Sequence, residues 1–569
     1  MKKFLIGFFA IVGVIVVVIT VAIISFASVQ KDRKAKDLPA RMVLTLDLDG
    51  GLKEANAQPS VLDSLSDPVP TLQDILLTLE LARQDSRVNG IAVHIDQGGY
   101  GMAQVQELRE AISRFRRSGK FAYIYSDTLG GSPAMGEYWL ATAFDQIWLQ
   151  PMGELAITGF SAEIPFAKDF LDKIGVQPEL LHEGKYKSFP ESLTRSSISA
   201  ENREMTESLL NNLQEQFEAD VATTRHIDKI KLLGLMDQAP MIAEEALSSG
   251  LIDAIGYHDE FDNYLEQKTN GAQPIEFANY QANGPRAIPG EKIALINVLG
   301  ALTNVAKEQA RSGDVVSADD VGNAIEDAGN TPSVTAIVVR VDSPGGTPLA
   351  ADMIRRSIEI AKSRKPVIIS MGNTAASGGY WMSVDANAII AQPGTLTGSI
   401  GVFGGKPNLQ GLWNKIGIHW DSVGNIDNNS LWSSNQPFSA KAREKIALSM
   451  HRTYEQFIAK VSNGRNMKAD KVQEIAQGRV WTGSQAVKNG LVDKLGGLDV
   501  AIIVAKDLAK IPANRPVNLE VFPKPLNPLK QLIQMLKQGA PFHLLGAAIS
   551  DNLSQAFERR LLISTPTIR

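Results

Sequence analysis

The stretch from Asn373 to Ala386 reads NTAASGGYWMSVDA and sets Ser377 before two glycines and two aromatic residues. A serine hydroxyl is a weak nucleophile at neutral pH and needs a base within hydrogen-bond reach to take its proton. Histidine is the usual choice, but the chain has 7 histidines and none lies within 40 residues of Ser377 on either side. A lysine can serve instead if burial among apolar groups lowers its pKa towards working pH, and Ser–Lys pairs are a known variant of the serine triad. The segment GKYKSFPES offers Lys187, with Lys185 as a close neighbour. A third element is VDSPGGT, from Val341 to Thr347. A Pro-Gly-Gly turn directly after an apolar strand leaves backbone N–H groups unobstructed, which suits stabilisation of a tetrahedral oxyanion at Gly345 and Gly346. Taken singly these are weak signals, because SGG turns are common and most lysines are solvated.

An internal repeat strengthens them. Gly136 to Gly159, GEYWLATAFDQIWLQPMGELAITG, lies on Gly378 to Gly401, GGYWMSVDANAIIAQPGTLTGSIG, at a constant offset of 242. Upstream, GIAVHIDQGG matches AIVVRVDSPGG, and downstream GLIDAIG matches GLVDKLG. At that offset Ser377 falls on Met135 and Lys187 on Asn429, so each copy lacks one of the two groups. The expected organisation is a first repeat over 40–270 that supplies the lysine and a second over 290–515 that supplies the serine. A helical tail over 516–569 follows, carrying NPLKQLIQMLKQG and DNLSQAFERRLL.

Short β-branched runs such as KIALINV and AIVVRVD alternate with helical patterns such as ADMIRRSIEIAKSR, in which Met353, Ile354, Ile358 and Ile360 are expected to face the core. Strand, helix and strand in turn predict crossover units and an α/β fold. The chain of 569 residues, 44% hydrophobic, is long enough for more than one core. A net charge of -5 argues against a nucleic-acid surface, and the absence of cysteine excludes disulfides, thiolate metal sites and a cysteine nucleophile. No cofactor or metal is called for.

After Met1-Lys2-Lys3, residues 4–29 form an uncharged apolar run, longer than the core of a cleaved signal peptide, and predict a transmembrane signal anchor. Lys31, Arg33, Lys34 and Lys36 outnumber Lys2 and Lys3, so charge alone would leave the bulk of the chain cytoplasmic.

Together VDSPGGT, AASGGYW, TLTGSIG, GKYKS and GRVWTGSQAVKNGLVDKLGG, in a duplicated and anchored chain, resemble the long form of the bacterial signal peptide peptidase A (protease IV) family over roughly residues 40 to 515. The resemblance implies a ClpP/crotonase-like domain in tandem, a serine peptidase with Ser377 as nucleophile and Lys187 as general base, and Ser399 hydrogen bonded to the lysine amine. It implies an oxyanion hole made by the Gly345-Gly346 turn and the Ser377 amide, with the donating glycine left open. It further implies a single-pass protein of the inner membrane with a periplasmic soluble part, a homotetrameric bowl with an apolar interior, and apolar peptides such as remnant signal peptides as substrates. Two other readings compete. A crotonase-type acyl-CoA enzyme would share the fold but leave the divided Ser377 and Lys187 unexplained. A catalytically idle membrane scaffold would use the motifs only to shape an oligomer.

Overall fold

The computed structural model describes residues 38–55, 70–96, 98–130, 134–285, 290–305, 315–426 and 429–524. The anchor expected over 4–29 and both helical segments of the expected tail lie outside them. Among the described residues no helix is long and apolar enough to cross a membrane.

Two mixed α/β units follow one another. The first is built on a parallel sheet whose strands run, edge to edge, Ala254–Ile255, Gln146–Leu149, Phe121–Ser126, Val88–His94, Met42–Asp47 and Gln273–Glu276. The second orders Val480–Thr482, Leu396–Gly398, Val367–Ala376, Val334–Ser343, Glu291–Leu299 and Val517–Phe522, with Ala388–Ala391 and Lys494–Leu495 continuing from the Val367–Ala376 strand. All its pairings are parallel except that of Leu396–Gly398 with Val480–Thr482. Strand Val517–Phe522 corrects the expectation of a helical tail from 516. Its VNLEVF alternation suits a half-covered edge, and it extends the second sheet beside Glu291–Leu299.

The inner strands read as nearly unbroken apolar runs because helices cover both sheet faces. Val334–Ser343, VTAIVVRVDS, is buried along almost its whole length. The crossover helix Pro348–Lys362 starts where Thr347 accepts the Ala350 N–H and proline occupies the first turn. It buries Ile354, Ile358 and Ala361, spaced as one helical stripe, while Met353 is only partly buried. Ile360, expected in the core, is 41% exposed, since it sits across the helix from that stripe.

The duplication also survives in side-chain networks. Tyr138 donates to the Leu251 carbonyl as Tyr380 does to Leu491. Arg225 ties Gly250 O to Asp253, and Arg465 ties Gly490 O to Asp493. Each unit has its own large core.

Among the contacts that join the units, two matter most for the site. Arg340, fully buried in the second sheet, pairs at 2.6 Å with both Glu54 and Glu107 of the first unit. Such a buried triad contributes little net stability, yet losing one partner strands a charge and costs about 3–5 kcal/mol. The second feature is antiparallel pairing of Gln177–Glu183 with Val402–Asn408, which carries the segment following residue 183 against the second unit.

Candidate active site

Ser377 sits at the sharp turn between strand Val367–Ala376 and the short buried helix Gly378–Ser383. Its backbone angles, φ 54 and ψ -115, lie where a residue with a side chain is strained by about 1–3 kcal/mol. The turn is held because the Ser377 N–H donates to Gly398 O at 2.9 Å, and the buried hydroxyls of Thr395 and Thr397 brace Gly372 O and Ala375 O of the same strand. The threonines of TLTGS are thus the clips that fix the elbow.

Lys187 arrives from the other unit. Beyond strand Gln177–Glu183 the chain turns at Gly184, whose φ of 103 requires glycine, and packs on Gln477 and Gly478. A Cβ on Gly478 would stand 2.5 Å from Lys187 N, so glycine is needed for this approach. Lys187 is 5% exposed, and its Nζ lies 3.1 Å from Ser377 Oγ, 2.9 Å from Ser399 Oγ and 2.9 Å from Ser399 O. Burial, with no carboxylate beside it, pushes its pKa down to about 8. Lys185 is exposed, with its amine over the Tyr186 ring.

The backbone N–H groups around Ser377 divide into paired and unpaired ones. The Ser377 amide is taken by Gly398 O, and the Gly345 N–H by Ser343 Oγ at 3.2 Å. Among the described residues the N–H groups of Gly346 and Gly378 have no acceptor. They are neighbours: a Cβ on Gly378 would meet Gly346 N at 3.1 Å, and one on Gly345 would meet Gly378 N at 2.6 Å. Parallel bridging of Gly346 to Leu302 ties down the flanking Gly345 O and Thr347 N, leaving the Gly346 N–H turned away from that strand. Sequence spacing could not supply this, because hydrogen-bond direction follows the elbow's φ and ψ.

In the first unit the corresponding glycines are occupied. Gly98 and Gly99 donate at 3.1 and 2.8 Å to Oε1 of Glu137, a buried residue that aligns with Gly379. A buried carboxylate thus takes both N–H groups in the first unit, whereas in the second unit the Gly345 N–H goes to Ser343 Oγ. The sequence signal was present as a charge aligned with a glycine.

Asp47, Asp49 and His94, and His94, Asp96 and Asp127, come close enough to share a cation at the end of the first sheet. These carboxylates already face the His94 ring, and no metal role is assigned to them. A cleft of about 820 Å³ lies between the first sheet and helix His258–Thr269, and neither Lys187 nor Ser377 lines it.

An α/β scaffold in two copies, with a serine on a strained elbow, defines a class, and the chain is a serine peptidase. The model for peptidase family S49 matches residues 114–271 and 359–512. Similar proteins include the chloroplastic serine protease SPPA of Arabidopsis thaliana, 32% identical, covering 79% of this chain and 68% of that one. Protease 4 of Salmonella typhi is 33% identical, covering 78% and 72%, and protease 4 of Haemophilus influenzae 32%, covering 86% and 83%. The chain belongs to peptidase family S49, in its duplicated, SppA-type form.

Proposed function

We propose that the chain is a membrane-anchored endopeptidase that works through a Ser377–Lys187 dyad and degrades remnant signal peptides and other apolar peptides. The observation that carries this is the Lys187 amine, buried and 3.1 Å from Ser377 Oγ. A neutral amine has two N–H donors and one lone pair. Ser399 O and Ser399 Oγ accept the two donors, which aims the lone pair at the Ser377 hydroxyl.

Attack on a peptide carbonyl moves the Ser377 proton to Nζ as the new C–O bond forms. The negative charge develops on the carbonyl oxygen between the N–H groups of Gly346 and Gly378. The ammonium then returns its proton to the leaving amine, and the C–N bond breaks. A water deprotonated by the same amine releases the acyl group from Ser377.

Support for the substrate class comes from relatives, among them a putative signal peptide peptidase SppA of Enterococcus faecium, 30% identical over 222 residues. The apolar run over 4–29 supports the anchor, and with the family resemblance supports an inner-membrane protein with its soluble part in the periplasm. Tandem ClpP/crotonase-like repeats over 40–270 and 290–515, assembled as a tetramer, complete the reading. A fluorophosphonate probe tests it: wild type takes one label at Ser377, Lys187→Ala takes none, and labelling undiminished in Lys187→Ala would overturn the dyad.

A further inference from the structure

The motif GRVWTGSQA ends the second sheet, and the dyad leaves its arginine unexplained. Arg479 lies 14% exposed, and its surroundings join both halves of the base's environment. Its carbonyl accepts the Ser399 N–H at 2.8 Å, fixing the residue whose two oxygens hold the lysine amine. Its guanidinium stacks between two aromatic faces, 4.8 Å from the Tyr186 ring and 4.6 Å from that of Trp481. Its Nη1 donates to Glu204 Oε1 at 2.7 Å, and the other oxygen of that carboxylate accepts the Tyr186 hydroxyl at 2.9 Å. Tyr186 precedes Lys187 and is itself tied by its N–H to Gln477 O. A closed ring therefore runs from Arg479 to Glu204 to Tyr186, spanning both repeats beside the amine.

We propose that Arg479 is a positioning residue for the Lys187 base, holding Tyr186 through its guanidinium and Ser399 through its carbonyl so that the amine meets Ser377. This rests on the dyad reading and deepens it. Glu204 is 57% exposed, and an ion pair so open to water is a weak source of stability. What the planar fork and the stack supply is orientation. Other charged or titratable groups near the lysine are His182, Glu183 and Lys185 on its own segment and His451, Tyr454 and Glu455 on the helix packed against it. None of them hydrogen bonds Nζ, whose partners are Ser377 and Ser399.

The test is a pH–rate profile of the full-length protein on a fluorogenic apolar peptide amide. Arg479→Ala should lower kcat about tenfold or more with KM little changed, as expected for displacement of a reacting group by a fraction of an ångström. The ascending limb assigned to Lys187 should move to higher pH as water reaches the amine. Arg479→Lys should fail to rescue, and added guanidinium at millimolar concentration should partly restore Arg479→Ala. Tyr186→Phe, which removes the hydroxyl of a buried ring, and Glu204→Gln, at the exposed end of the network, should shift the limb in the same direction by less. If Arg479→Ala does not fold, these two decide: wild-type profiles in both overturn the proposal. A folded Arg479→Ala with wild-type kcat and limb overturns it directly. Activity retained in Lys187→Ala would instead remove the dyad reading, a distinct outcome.

Discussion

Lys187 Nζ stands 3.1 Å from Ser377 Oγ across 190 positions of sequence and across the boundary between the two repeats. Neither repeat alone holds both residues, and the strand pairing of Gln177–Glu183 with Val402–Asn408 brings them together.

Substitution separates the two lysines of GKYKS. Ser377→Ala and Lys187→Ala should each reduce peptide hydrolysis by about a thousandfold or more with secondary structure intact. Lys185→Ala should keep most activity, since its amine is exposed over Tyr186. An inactive Lys185→Ala beside an active Lys187→Ala would reverse the assignment.

Turnover should rise with pH through about 8, where burial places the lysine. Stability carries the same signature. The folded pKa lies below the ordinary value of 10.5, so between about 8 and 10.5 the unfolded chain binds more protons, and stability gains as pH rises. Below that window the buried amine costs the fold about 3 kcal/mol by the same linkage. Denaturant titrations of wild type and Lys187→Met should diverge in the mutant's favour as pH falls from 10 to 7. A pH-independent difference would mean that the amine is not desolvated.

A methyl group on Gly378 would enter the space beside Gly346 N. Gly378→Ala should lower kcat by about 10²–10³, the usual cost of a disturbed oxyanion donor, and should also lower the melting temperature, because the methyl meets the Gly346 and Gly345 backbone at 3.1 and 3.3 Å. Retention of full kcat would move the hole elsewhere.

Glu137 offers a test in the first repeat. Glu137→Ala orphans the N–H groups of Gly98 and Gly99 and should destabilise the chain by about 1–3 kcal/mol. Formate or acetate, but not chloride, should restore part of the melting temperature. An equal response of wild type to acetate would show that no such space had opened.

Because one chain supplies both groups, Ser377→Ala and Lys187→Ala subunits refolded together should regain no activity. A between-chain site in a closed ring would regain about a quarter of it by random pairing.

Much of this site is legible in sequence for a specific reason. Duplication at a fixed offset exposes the reciprocal losses at Met135 and Asn429, and periodicity gives the alternating strands and helices. What escapes depends on backbone direction or distant packing. Ser377 turns its own amide onto Gly398 O, while the Gly378 N–H is left without an acceptor among the described residues, and no spacing rule contains that φ. Ile360 carries the hydrophobicity of a core residue on the wrong side of its helix. Strand Val517–Phe522 looks like the start of a tail until the edge of Glu291–Leu299 is seen to lack a partner. The Arg479, Glu204 and Tyr186 ring joins residues from three separate segments, which only the fold brings together.

The close fit of Gly478 against the Lys187 backbone also sets a clock during synthesis. Lys187 leaves the ribosome about 290 residues before Gly478, or about 15–60 s at ordinary elongation rates. Throughout that interval the amine remains hydrated and charged, and the serine is either absent or unaccompanied. A half-made chain therefore lacks the contact between Lys187 and Ser377, which forms only with completion of its own second half.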